Sequence, residues 1–197
     1  MKKKLMFVST TLPADGFRET EDIDNVKVYR LGKTLSEDGK TYTCEECSVR
    51  DGEYDEDEIQ AAYGEHVKTK TARRLAQAKR EKTAEIDAYD TSSAVNGFML
   101  NGATVWLDKS TRVGLMNSTT ITKAMGQPTT TLWLGESKME VPCDTAIQLL
   151  SALEMYALEC FNVTAAHKKA VSELNSIEEV EKYDITAGYP AQLKMEV

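Results

Sequence analysis

Asp108, Lys109 and Arg112, close together in the stretch VWLDKSTRVG, are the side chains best suited by type and spacing to acid–base chemistry. A carboxylate and two cations so near one another could bind and polarise a substrate if a pocket perturbed their protonation. A structural reading of the same spacing is favoured. Asp108 stands where a helix should begin and suits an N-cap, while Arg112, four positions on, suits a capping contact or an ion pair. Cys44 and Cys47 have the C-x-x-C spacing of half a zinc site. No second pair supplies the four ligands a structural zinc needs, and neither His66 nor His167 is placed to do so. His167 falls on the apolar stripe of a helix and reads as a satisfied core or boundary histidine. The run DEDE, residues 55–58, lacks the ligand spacing and glycine of a cation loop and reads as a solvated helix start. Neither histidine neighbours a plausible nucleophile, and the sequence has no G-x-S-x-G, no P-loop and no G-x-G-x-x-G after a strand. The expectation is a protein without a catalytic constellation, a metal or a cofactor.

The elements that must position these residues fall into three zones. Residues 1–66 read as a small, strand-rich, acidic module. Its strand-like runs, KLMFVST, NVKVYRLG and KTYTCEECSVRDGEY, are separated by turn chemistry in PADG, GKTLSEDGK and RDGEYDED. The opening MKKKLMFV carries an apolar core of only about four residues, too short for a signal-peptide h-region, and reads as a first strand. DEDEIQAAYGEHV closes the module with a short helix. Residues 67–90 read as a charged helical stem, rich in Ala, Lys, Arg, Gln and Glu, with a thin apolar stripe of Ala72, Leu75, Ile86 and Tyr89.

Residues 91–197 read as a C-terminal α+β domain of two β-hairpins packed on a long α-helix. Asn101-Gly102 between apolar runs is the strongest short hairpin signal, because both central residues of a type I′ turn need positive φ. A helix capped by Asp108 and ended by Gly126 follows. TTTLWLGESKMEVP is the second hairpin, turning at Gly135. The long helix spans CDTAIQ through VSEL with Asp144 as N-cap and apolar residues recurring at 3–4 spacing. A second apolar set, Leu149, Met155, Tyr156, Leu158 and Phe161, predicts that its first half is buried on several sides. Trp106 and Trp133, one on each hairpin, are expected as paired core anchors against it. Ser176 and Glu179 form a capping box, and the tail is expected to pair with a hairpin edge. Trp106, Asp108, Lys109, Arg112, Trp133 and Tyr156 are thus the interaction or structural candidates.

Composition limits the classes of function. At 41% apolar and 28% charged residues in a chain of 197, the protein can bury a real core, and no apolar run approaches a membrane span. A net charge of −8 argues against nucleic acid as a partner. The charge is zoned, with 16 acidic and 6 basic residues over 14–66 but seven basic and one acidic over 68–82. Four cysteines are too few for a disulfide scaffold, so reduced thiols in a cytoplasm are expected.

The segments IDAYDTSSAVNGFMLNG, VWLDKSTRVGLMNS, TTTLWLG, ALEMYALECFNVTAAHKKAV and YDITAGYP occur in order over residues 84–197. Together they resemble a domain of unknown function from tailed phages and prophages of gut Bacteroidales, found in proteins that look like tail-fibre accessory or assembly proteins. The resemblance implies a virion-associated or assembly protein that binds phage tail or tail-fibre proteins without catalysis. It would be located in the virion or in the host cytoplasm during assembly, with homo-oligomerisation possible. The alternatives are a prophage-encoded regulatory or host-interaction protein, and an enzyme using Asp108, Lys109 and Arg112. Residues 1–66 lie outside the resemblance.

Overall fold

A computed structural model describes residues 2–134 and 137–196. The fold is mixed α and β, 48% helical and 26% strand, and divides into two compact units, Met1–Arg74 and Leu75–Val197.

In the first unit, four strands form one antiparallel sheet in the order β1-β4-β3-β2: β1 Val8–Pro13, β2 Thr20–Ile23, β3 Val26–Leu35 and β4 Thr41–Arg50. Three strand runs were expected. The extra one, β2, is the acidic TEDI, which pairs with β3 through a two-residue turn in which Asp24 and Asn25 both hold positive φ. Strand β3 also runs through Gly32 to Leu35, residues read as turn. Its pairing with β4 shifts between Leu31 and Thr34, and Gly32, at φ 60°, sits in that irregularity. Such insertions re-aim a strand without ending it. Leu5 and Phe7, expected in the first strand, precede β1 and pack against the core of Tyr29, Cys47, Val49 and Ile59. Cys44 and Cys47, three apart on β4, leave opposite faces of the sheet, so the spacing that suggests half a metal site separates the two thiols here. Both are buried, and burial pushes both thiols up.

The DEDE segment does open a helix. Asp55 accepts from the Glu58 amide at 2.8 Å, and the Glu58 carboxylate accepts from the Asp55 amide at 3.1 Å. The helix it opens does not stop at residue 66. Helix α1 runs Glu56–Asp90, joining the expected short helix to the stem. The only weak point between them, Gly64, has no steric conflict and costs a helix interior about 1 kcal/mol.

The second unit takes the C-terminal half of α1 and adds α2 Ser93–Asn96, hairpin β5 Phe98–Leu100 and β6 Ala103–Val105, and α3 Lys109–Ala124. Hairpin β7 Thr129–Leu134 and β8 Ser137–Pro142, α4 Cys143–Glu173, α5 Ile177–Lys182 and β9 Lys194–Met195 complete it. Asn101 and Gly102 carry the positive φ values, 49° and 81°, that the β5–β6 turn requires. The tail returns as β9, parallel to β5, giving a sheet ordered β6-β5-β9. The second hairpin pairs Leu132 with Met139 and Leu134 with Ser137, while its expected turn at Gly135 lies outside the described residues. Phe98, Leu100, Leu107, Leu132, Leu134 and Val141 close over Ala146, Leu150, Leu153, Tyr156 and Cys160 of α4.

Three expectations for this unit need correction. The tryptophans are not core anchors: Trp106 is 46% and Trp133 56% exposed. Alternation decides it, because Val105 and Leu107 flank Trp106 just past the end of β6, and Leu132 and Leu134 flank Trp133 on β7, with all four flanking residues buried. The second apolar set of α4 is not buried as a face either. Tyr156 is enclosed, but Met155, Leu158 and Phe161 are exposed. Finally, Asp144 is not the N-cap of α4. Strand β8 feeds the helix directly, Pro142 takes the cap position without a side-chain bond, and Asp144 sits in the first turn, paired with Lys123.

Candidate functional site

A cleft of about 650 Å³ opens on the second unit. One wall is α4, which contributes Glu154, Ala157, Leu158 and Phe161. These positions follow the i, i+3, i+4, i+7 rule that places side chains on one helix face. Across from them stand Trp106 and Leu107 from the segment after β6, then Asp108, the N-cap of α3, with Lys109 and Arg112 from its first turn. Asp90 and Thr91 at the end of α1, with Asn96, complete the lining. The sequence candidates Trp106, Asp108, Lys109 and Arg112 therefore converge on one concave surface. Trp133 lies on β7 away from it. Tyr156 is buried in the core instead, its hydroxyl donating to the Val95 carbonyl at 2.7 Å and its pKa pushed up to about 12 by burial.

The convergence meets the spatial condition of the enzymatic reading, but Asp108 and Arg112 are engaged in holding the fold. Asp108 caps α3, accepting from the Ser110 hydroxyl at 2.5 Å, the Thr111 amide at 2.9 Å and the Thr111 hydroxyl at 2.7 Å. Those bonds, the Ser110 hydroxyl first, hold its carboxyl well below the usual carboxylate range. It is ionised across the physiological range and has no proton to give. Arg112 does not pair with Asp108. Its Nε donates to Glu154 at 2.8 Å and its Nη1 to the Leu107 carbonyl at 2.8 Å, in a position only 8% exposed. Buried guanidinium with two fixed acceptors positions α3 against α4. Arginine does not exchange protons in proteins. Lys109 is exposed and has no hydrogen bond or ion pair among the described residues.

At the other end, Asp90 accepts from the Thr164 hydroxyl at 2.6 Å. Thr164 has one proton and has given it to Asp90, so the Tyr189 hydroxyl, 2.8 Å away, donates to Thr164. The neighbouring His167 bonds the Tyr183 hydroxyl and the Ala187 carbonyl, both at 2.9 Å. His167 is thus the satisfied histidine expected, and the YDITAGYP segment is a clamp that ties the tail to α4.

Between these two fixed ends the cleft is apolar and open. Trp106 faces Leu158 and Phe161 across it, the latter two 49% and 62% exposed. Sequence reading missed Leu158 and Phe161 as surface groups because their spacing also fits a widened core face. The available signal was Glu154 and Ala157 on the same face, a charge and a small side chain where a core stripe would carry larger apolar ones. Among the described residues no cluster of three or more metal-ligating side chains forms.

A family model described as a domain of unknown function, DUF4376, matches residues 77–187. The chain belongs to that family. No curated protein and no solved structure matches it. The DUF4376 match takes in every residue lining the cleft and the His167–Tyr183 contact. It begins within α1 and ends before Tyr189 and β9.

Proposed function

We propose that this protein is a virion-associated or assembly factor of a phage tail or tail-fibre module, acting through protein–protein contact without catalysis. The observation that carries this reading is the cleft of the DUF4376 domain. Asp108 and Arg112 are spent on capping and inter-helix bonding, while the aromatic and aliphatic side chains of the cleft stand unused in solvent. Large exposed apolar groups rimmed by charge mark interaction surfaces. Trp106 and Phe161 in the middle of a concave patch match the aromatic enrichment of binding hot spots. The sequence resemblance to phage tail-module proteins supplies the setting. Residues 1–74 add an acidic sheet unit of their own, suited to a second partner.

Mass spectrometry of purified particles tests the reading, with the protein expected at a fixed copy number or in complex with a tail or fibre subunit before assembly. A protein that neither co-purifies with particles nor binds any tail protein sinks it. The enzymatic alternative draws on the same cleft. It would gain if Lys109→Ala abolished turnover of a defined substrate without altering partner binding.

A further inference from the structure

We infer that the cleft is a groove for an amphipathic helix of a partner protein, basic at the end lying by Asp90 and acidic at the end lying by Lys109. This rests on the proposed role as a binding protein and names the partner's chemistry. Two internal bonds fix the direction of the groove. Arg112 to Glu154 ties the start of α3 to one level of α4, and Thr164 to Asp90 ties the end of α1 to another. Ten residues of helix separate those levels, about 15 Å at 1.5 Å per residue.

The side chains between them are Ala157, Leu158 and Phe161, with Trp106 opposite. Small Ala157 makes room, and the larger groups offer apolar contact over about one turn of α4. A helix laid in such a groove is read through anchors at i, i+3 or i+4, and i+7. The charges left over at the two ends have opposite sign. Lys109 has no partner among the described residues. Asp90 has one oxygen committed to Thr164 and sits in the last turn of α1, which holds no basic residue to offset the helix dipole. Asp108 keeps its charge but commits both oxygens to the first turn of α3, whose dipole offsets it, and Glu154 with Arg112 is paired. An occupant matching the unpaired charges therefore has one orientation.

The test pans a random peptide display library, about 12 to 16 residues long to suit a short helix, on the full-length protein. Enriched peptides should share large apolar residues at helical spacing between a basic and an acidic end. Trp106 and Trp133 are the only tryptophans, so in a Trp133→Phe background Trp106 emission should shift to the blue as a synthetic enriched peptide binds. Phe161→Ala and Leu158→Ser, both at exposed positions, should each weaken binding about tenfold or more, as hot-spot truncations do. Lys109→Glu should favour peptides with the acidic end made basic.

Absence of enrichment, or enriched peptides indifferent to all three substitutions in proteins with unchanged circular dichroism, overturns the proposal. A dimer that Phe161→Ala dissociates, with no peptide enriched, assigns the groove to a second copy and overturns it too. Groove-dependent peptide binding by a protein absent from particles would leave this inference standing and remove the tail assignment alone.

Discussion

Asp108 accepts three hydrogen bonds from the first turn of α3, and that geometry dictates a response to acid. Its folded-state pKa lies below the ordinary carboxylate value of about 4. Its contribution to stability is therefore complete above that ordinary value and is lost as the pH falls through the depressed one. Asp108→Ala should lower the melting temperature at neutral pH and flatten its decline from about pH 5 downward. Thermal melts of parent and variant across that range check this, and curves that stay parallel would refute it. A second residue-scale prediction concerns Gly32. Its φ is 60°, and a Cβ there would meet the Tyr63 hydroxyl oxygen at 1.8 Å. Gly32→Ala should cost about 1–3 kcal/mol, part from the left-handed backbone and part from the clash. In a Tyr63→Phe background, which removes the offending oxygen, the cost should shrink; an equal cost in both backgrounds would place the strain elsewhere. Residues whose role is local, such as Asp108, Asn101, Gly102, Ser176 and Glu179, were legible in sequence because cap and turn chemistry acts within a few positions. Arg112 was not, because its acceptor Glu154 lies 42 residues away.

Strand alternation explains at the scale of elements why the tryptophans were misplaced. In TTTLWL either the leucines or the tryptophan can face the core, since the sequence shows the period but not its phase. Two leucines outweigh one tryptophan, and β7 turns Leu132 and Leu134 inward, at 1% and 5% exposure, leaving Trp133 outside beside its cross-strand neighbour Lys138. Leu132→Ala should therefore cost about 2–4 kcal/mol, as a core truncation does. Trp133→Ala should cost about 0.5 kcal/mol or less, as surface changes do. Denaturant unfolding of both variants decides the phase; equal costs would mean that β7 is not set as described. On α4 the same ambiguity had a different origin. The 3.6-residue period identified the helix and its buried line of Leu150, Leu153, Cys160, Thr164, His167 and Val171. The width of that line depends on how many elements cover the helix, which a periodicity cannot report. Met155, Leu158 and Phe161 lie beyond its covered width and face outward.

For the molecule as a whole, charge zoning and contact pattern divide the chain at different places. The composition changes near residues 66 and 82, whereas the compact units meet between Arg74 and Leu75, inside α1 and inside the basic segment. Nothing local marks that boundary, because Ala, Lys, Arg and Gln favour helix on both sides and only the partners of the helix change. Before it, Ile59 joins the core of the sheet unit; after it, Ile86 is fully buried and Tyr89 packs against the core formed by the two hairpins and α4. Each unit thus has its own core and its own strands, one sheet in the first and two in the second. The second keeps the whole cleft, the His167 clamp and β9. The expected consequence is that residues 75–197 fold alone. A fragment with those ends should unfold cooperatively, with a melting temperature within about 5 °C of the matching transition in the full chain, a shift worth roughly 1 kcal/mol for a domain of this size. Calorimetry of the full chain should resolve two transitions, and only the one that the fragment reproduces should move with Leu132→Ala. A fragment that fails to fold, or a full chain with one indivisible transition that both Gly32→Ala and Leu132→Ala shift, would show that the two cores are energetically one.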